Sequence, residues 1–256
     1  MRPQIVFHCA ANRNVANDAR LVSAMISVNV KGTMSLLEAL SEEGGALECF
    51  VNTGSSDEYG DGPAPFHETQ KESPVSPYAA SKVAADYFAL MMWKSRGVPV
   101  VILRPFLTHG PYQSTDMFIP SLIRHCIEKK DFPMSTGEQT REVHYVDDVA
   151  RAFLLAAANR QALGHVFNIG NGVEFSVREI ADTIVRLMGN PIRLLPGSVP
   201  RRPGEAVRMV SGSSKIRDML GWQPQTGFED GLKRTIEWYM INLERLETVT
   251  ARHQED

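Results

Sequence analysis

The amino-acid sequence predicts an α/β fold, a doubly wound parallel sheet with helices on both faces, and three observations carry that prediction. Short apolar stretches of buried-strand character alternate with long helical ones. Each of the first two apolar stretches runs out into small or polar residues, as strands do where they deliver a ligand crevice. Glycines close the intervening helices.

Residues 5–9 (Ile-Val-Phe-His-Cys) pass into Ala10-Ala11 and read as a first buried strand. Residues 18–40 read as a long helix with Met25, Val28, Leu36, Leu37 and Leu40 on its apolar side, stopped by Gly44-Gly45. A second strand spans 47–52 and ends in Thr53-Gly54-Ser55-Ser56. A proline-rich loop then reaches Pro77, residues 78–95 form a helix closed by Gly97, and 98–103 make a third buried strand. Beyond Pro111 the pattern changes. It predicts a helix at 118–129, short extended pieces, a helix at 147–158, a strand at 165–169, and helices at 176–188 and 228–246 around a loop rich in Pro, Gly and Arg. No clear linker separates these stretches. Residues 1–111, joined by 147–170, are therefore expected to form the sheet unit, with 112–146 and 171–256 as a smaller interleaved lobe.

Composition narrows the class. At 256 residues, 43% hydrophobic and 22% charged, the chain can bury a sizeable core. No apolar run approaches the roughly 18 residues of a membrane span, and the first residues are too short for a signal peptide, so a cytoplasmic protein away from membranes is expected. A net charge of −3 without a long basic run gives no electrostatic reason to expect nucleic acid. Cys9, Cys49 and Cys126 lack metal-ligand spacing; no metal site is expected, and all three read as small buried hydrophobes.

The strongest local signal is Tyr78-Ala79-Ala80-Ser81-Lys82 at a helix start. Positions four apart share a helix face, so phenol and ammonium can converge on one ligand. A nearby ammonium favours the phenolate and moves a tyrosine of reference pKa about 10 toward proton transfer. Ser55, at the end of the preceding strand, could hydrogen-bond the same substrate oxygen. Alone, the spacing is equally that of a helix-start aromatic followed by a solvated lysine.

Several separated segments add to it in order. They are Val6-Phe7-His8-Cys9-Ala10-Ala11, Asn29-Val30-Lys31-Gly32-Thr33, Ser55-Ser56-Asp57-Glu58-Tyr59-Gly60 and Ser76-Pro77-Tyr78-Ala79-Ala80-Ser81-Lys82. Further on come Arg141-Glu142-Val143-His144-Tyr145-Val146-Asp147-Asp148-Val149, Arg202-Pro203-Gly204-Glu205 and Leu220-Gly221-Trp222-Gln223-Pro224. Together they resemble the nucleotide-sugar epimerases and dehydratases of the extended short-chain dehydrogenase/reductase family. The resemblance implies NAD or NADP as cofactor and hydride exchange at C4 of a nucleoside-diphosphate hexose, by a 4-ketoreductase or epimerase. Tyr78 would be the acid/base, Lys82 would hold the nicotinamide ribose and lower the tyrosine pKa, and Ser55 would bind the C4 oxygen. Ala10, Ala11, Asn29, Pro105 and Phe106 fall where the family lines its cofactor cleft. Ser56, Arg141 and Arg202 fall on the substrate side, the arginines where such enzymes grip the diphosphate; either arginine is alternatively an ion-paired surface residue. His8 and His144 read as structural, and His109 stands at an aromatic position of the family. A homodimer through two long helices is also implied.

The chain departs from the family in two ways. Asp57 stands where dehydratases place a Glu that assists elimination of water, which keeps a 4,6-dehydratase open and makes Asp57 a candidate catalytic acid; Leu107 replaces a substrate-contacting Asn of many epimerases. No glycine-rich phosphate loop precedes Ile5. The resemblance therefore implies a sheet lacking its first three strands, weak cofactor binding by these residues alone and, as an alternative, a non-catalytic nucleotide-sugar-binding homologue.

Overall fold

The computed structural model describes residues 2–42, 46–202 and 204–252, with side chains described to residue 243. Gly44 and Gly45, expected to stop the first long helix, and Pro203 lie outside the described residues. β1 (Ile5–His8) leads into α1 (Val22–Met25), a π turn (Ile26–Lys31) and α2 (Gly32–Glu42), which run on as one helix. β2 (Cys49–Thr53), α3 (Pro77–Arg96), β3 (Val100–Pro105), β4 (Leu107–His109), α4 (Phe118–Glu128), β5 (Phe132–Met134), β6 (Thr140–Tyr145), α5 (Val146–Ala158) and β7 (Val166–Ile169) follow. β8 (Glu174–Ser176), α6 (Val177–Leu187), β9 (Leu194–Pro196), β10 (Arg208–Met209), α7 (Lys215–Leu220) and α8 (Phe228–Arg252) complete the order.

The main sheet is β1-β2-β3-β7, and all three of its pairings are parallel. β2 and β3 are central and buried on both faces, which is why they read as unbroken apolar runs. β1 lies at an edge with Ile5 and Phe7 43% and 42% exposed. α3 is shaped by its ends. Ser76 accepts from Ala79 N at 3.2 Å, Pro77 occupies the first turn, and Gly97 at φ 69° closes the helix in a left-handed conformation.

The helix predicted at 18–40 is less regular than expected. Its π turn lets Gly32 N reach Ser27 O, and Met25, Asn29, Thr33 and Leu37 form its buried stripe, whereas Val28, expected inside, is exposed. Cys9 also differs: it is exposed at the end of β1, while Cys49 and Cys126 are buried as expected.

A second sheet, β10-β6-β4 with β8 on β6, packs beyond the first. Leu107–His109, inside the 1–111 span assigned to the sheet unit, thus pairs with Val143–Tyr145. α4, α6 and α8 enclose a separate apolar core that includes Leu122, Ile123, Ile180, Ile184, Leu232 and Tyr239. Two buried carboxylates tie the parts together. Glu142 accepts from the backbone N–H groups of Asn171, Gly172 and Ser211 and contacts His144 Nε2 at 3.0 Å, which gives His144 the structural role expected of it. Asp148 accepts from Gln225 N at 2.8 Å and Thr226 N at 2.9 Å, anchoring the approach to α8. Burial pushes the Asp148 carboxyl up, but these N–H donors and Arg151 hold it below the usual carboxylate range. His8 Nε2 meets Thr33 Oγ1 at 3.0 Å, and His109 Nδ1 meets Thr235 Oγ1 at 2.9 Å on α8. No helix among the described residues is long and apolar enough to cross a membrane.

Candidate active site

Ser55 and Tyr78 reach one place from different elements. β2 ends at Thr53, and Ser55 caps a 3-10 turn (Ser56–Tyr59): its Oγ accepts from Asp57 N at 3.1 Å, while Glu58 Oε1 accepts from Ser55 N at 2.7 Å. This reciprocal pairing satisfies two otherwise unpaired donors and fixes the Ser55 side chain. The cap at Ser76 puts Tyr78 in the first turn of α3, with Lys82 one turn later. The Ser55 side chain is near enough to act on the Tyr78 phenol.

Burial, followed by the Asp57 carboxylate, pushes the phenol up to about 12, and Ser55 opposes the shift. This is opposite to the lowering expected from Lys82. The ammonium of Lys82 is itself held below the ordinary lysine value by burial, against the charges of Asp86 and Glu58.

Asp57 joins this pair to the arginines. Burial raises its carboxyl above the usual range, Arg141 and Arg202 oppose that, and Glu205 adds to it. Arg141 Nη2 lies 2.6 Å from Glu205 Oε1, and its Nη1 donates to the carbonyls of Thr140 at 2.7 Å and Ala206 at 3.1 Å. Arg202 is exposed, 4.0 Å from the same Glu205 oxygen. Ser56, next to Asp57 in sequence, is buried. The sequence gives Glu205 no role of its own; its place at the end of the Arg202-Pro203-Gly204-Glu205 segment is the available signal.

The C-terminal ends of β1, β2 and β3 open on one side of the parallel sheet, where residues 9–11, 53–55 and Pro105 emerge. Ala10 is exposed, Ala11 and Pro105 are half-buried, and the alanines present no atom beyond Cβ, so they leave the space over the strand ends open. Two further residues expected along the cofactor cleft, Asn29 and Phe106, are buried. Asn29 is buried and its amide is spent inside the protein, donating to Asn12 O at 3.0 Å and Ser81 Oγ at 2.8 Å and accepting from Asn12 N at 2.7 Å. It holds the loop after β1 against α3, because a buried amide must be paired. Phe106 is 3% exposed and packs with Tyr59, Phe66 and Met209, so it supports the crevice from behind.

Behind Ser55 and Lys82 lies a buried charged group that the sequence did not point out: Arg104 contacts Glu58 at 2.7 Å, Glu72 at 2.8 Å and Asp86 at 3.3 Å.

Known proteins with this arrangement are numerous. The NAD dependent epimerase/dehydratase family matches residues 1–170. dTDP-glucose 4,6-dehydratase 1 of Escherichia coli (strain K12) is 31% identical over 275 residues, covering 98% of this chain and 76% of the relative. The dTDP-glucose 4,6-dehydratase of Streptomyces niveus is 33% identical over 239 residues, covering 93% and 70%. Among solved structures, UDP-glucuronic acid 4-epimerase from Bacillus cereus, in complex with UDP-glucuronic acid and NAD, superposes with a TM-score of 0.87 at 27% identity, covering 93% of this chain and 76% of that one. DesIV, a dTDP-glucose 4,6-dehydratase from Streptomyces venezuelae with NAD bound, gives 0.84 at 30% identity, covering 93% and 74%. The parallel sheet, the Ser55–Tyr78–Lys82 group at its strand ends and these matches together establish that the chain belongs to the NAD-dependent epimerase/dehydratase family, whose members are enzymes.

Proposed function

We propose that this protein acts on a nucleoside-diphosphate hexose by hydride exchange at C4. One observation carries the proposal: the Asp57 carboxylate acts on the Tyr78 phenol and is itself acted on by Arg141, Arg202 and Glu205, so one buried carboxylate stands between a proton-transfer phenol and a pair of arginines suited to an anion. NAD or NADP, bound across the strand ends, would supply or accept the hydride. Tyr78 moves the proton at the C4 oxygen, and Ser55 orients that oxygen by a second hydrogen bond. The neutral phenol of the free protein is in the form that donates a proton to a 4-keto group. Lys82, one turn along α3, would hold the nicotinamide ribose. Ser56, Arg141 and Arg202 serve the substrate, and guanidinium suits diphosphate through bidentate pairing.

Asp57 favours a second reading. A carboxyl held above the usual range beside the acid/base tyrosine is poised to assist elimination of water, as a 4,6-dehydratase requires. Incubating the protein with a panel of sugar nucleotides and both cofactors, followed by NMR of the sugar, separates the reactions: a C4 epimer or reduced alcohol supports the first reading, a 4-keto-6-deoxy sugar the second. No conversion of any sugar nucleotide would overturn both.

Arg141→Ala is expected to weaken binding of a nucleoside-diphosphate sugar by about 10- to 100-fold, the loss of one or two charge-assisted hydrogen bonds, while leaving the free nucleoside unaffected. Isothermal titration with both ligands measures this, and equal weakening would reduce Arg141 to a partner of Glu205.

We also infer a homodimer. Tyr87, Phe88 and Met91 project from one stretch of α3 at 57%, 43% and 41% exposure, an apolar stripe on a long helix. Sedimentation velocity of Tyr87→Glu/Met91→Glu beside the parent is expected to show a dimer converted to monomer; a monomeric parent would refute it.

A further inference from the structure

The buried group behind Ser55 and Lys82 holds more negative charge than its neighbours neutralise. Arg104 on β3 is 2% exposed, and around it stand Glu58 from the 3-10 turn, Asp86 from α3 and Glu72 from the loop before α3. Lys82, one turn before Asp86 on α3, is the second cation acting on the group. Three carboxyls against two cations leave one uncompensated negative charge if all ionise, and a buried unpaired charge is costly.

Geometry says where a proton resolves this. Glu58 and Asp86 crowd the same point: a Cβ placed on Gly54 would sit 2.8 Å from Glu58 Oε1 and 2.9 Å from Asp86 Oδ2, so only glycine fits there. Glu58 Oε1 is used by Ser55 N, whereas Oε2 is fully buried, 2.7 Å from Arg104 Nη2, without a hydrogen bond of good direction. Asp86 Oδ1 accepts from Asn52 Nδ2 at 2.8 Å, and its Oδ2 faces Arg104 Nε. One proton held between the two carboxyls removes the excess negative charge that Arg104 and Lys82 leave unmatched.

We propose that Glu58 and Asp86 share one proton and act as the positioning pair of the site, Glu58 as the neutral partner that fixes Ser55 through its backbone and Asp86 as the anion that keeps Lys82 an ammonium. This deepens the function proposed above and rests on it only where turnover is concerned. Burial raises both groups; the Asp86 carboxyl raises Glu58 further, whereas Arg104, Lys82 and the hydrogen bond with Glu58 pull Asp86 back, so the two carboxyls titrate as a pair. The groups that bear on it are Arg104 from β3, Lys82 from α3, Tyr59 from the 3-10 turn, Tyr78 and Tyr87 from α3 and Glu72 from the preceding loop; after β1, Cys9 acts on Lys82, and Lys82 in turn acts on His8.

Two measurements that need no substrate test this. Infrared spectra of the whole protein near neutral pH are expected to contain the C=O band of one protonated carboxylic acid, absent in Glu58→Gln and in Asp86→Asn. NMR titration of labelled lysine, with Lys82 assigned by its loss in Lys82→Arg, is expected to give a Lys82 midpoint about one unit lower or more in Asp86→Asn, and within about 0.3 unit of the parent in Glu58→Gln. The parent lacking the band, or Glu58→Gln lowering Lys82 as far as Asp86→Asn does, would overturn the proposal. Should Asp86→Asn fail to fold, Asp86→Glu serves instead; it keeps the charge, and a Lys82 midpoint within about 0.3 unit of the parent is required. If the parent converts no sugar nucleotide while the band and the Lys82 shift are found, the function is refuted and the shared proton stands.

Discussion

Tyr78→Phe is expected to lower turnover of the sugar nucleotide by about 10³-fold while its dissociation constant stays within about threefold. The change deletes one oxygen and leaves the ring, so it removes the group that moves the proton but little of the surface that binds. Absorbance of the reduced cofactor in a single-turnover mixture reads the chemical step, and calorimetry reads binding. Turnover within about tenfold of the parent would remove Tyr78 from the acid/base role.

The largest effect on stability is expected from Arg104→Met. Methionine fills much of the volume but leaves Glu58, Asp86 and Glu72 without their shared cation, and breaking a buried ionic group from one side costs about 3 to 5 kcal/mol. Urea unfolding measures it, and a loss below about 1 kcal/mol would show that the guanidinium is dispensable. The pH dependence has a definite sign. Glu58 and Asp86 already stand above their ordinary values, and removing the cation raises them further. A carboxyl raised in the folded state destabilises above that value and ceases to do so once protonated. Glu72 behaves oppositely in the parent: burial pushes it up, but Arg104, with smaller help from its backbone and Tyr87, holds it below its ordinary value, so it stabilises above about pH 4 and loses that contribution as pH falls. Both effects make the deficit of the variant shrink on acidification.

What could be read from the sequence was local. Ser55, Tyr78 and Lys82 were legible because a strand end, a cap and one helical turn suffice to place them, and the apolar runs of β2 and β3 announce strands covered on both faces. A motif locates a residue without aiming its side chain. Asn29 and Phe106 lie beside the crevice, yet the amide of one is consumed by Asn12 and Ser81, and the ring of the other is drawn into an aromatic cluster. Glu58, Glu72, Asp86 and Arg104 come from four segments and acquire meaning only through contacts between them. The three-residue strands β4, β5, β8 and β9 depend on partners far along the chain, and so carry no periodicity of their own.

The π turn at Ile26–Lys31 sets a phase. Residues spaced by four on an α-helix advance about 40° around its axis at each step, because four residues exceed a turn of 3.6. Over Met25, Asn29, Thr33 and Leu37 that drift would carry the last side chain about 120° from the first, onto the solvent face. All four are buried. The wider turn between Met25 and Gly32, with Gly32 N bonded five residues back to Ser27 O, winds more slowly and returns the stripe toward its starting direction. The extra residue thus works as a vernier, letting a polar amide at Asn29 meet Ser81 on α3 while Leu37, two turns on, still enters the apolar layer around Phe50 and Met92.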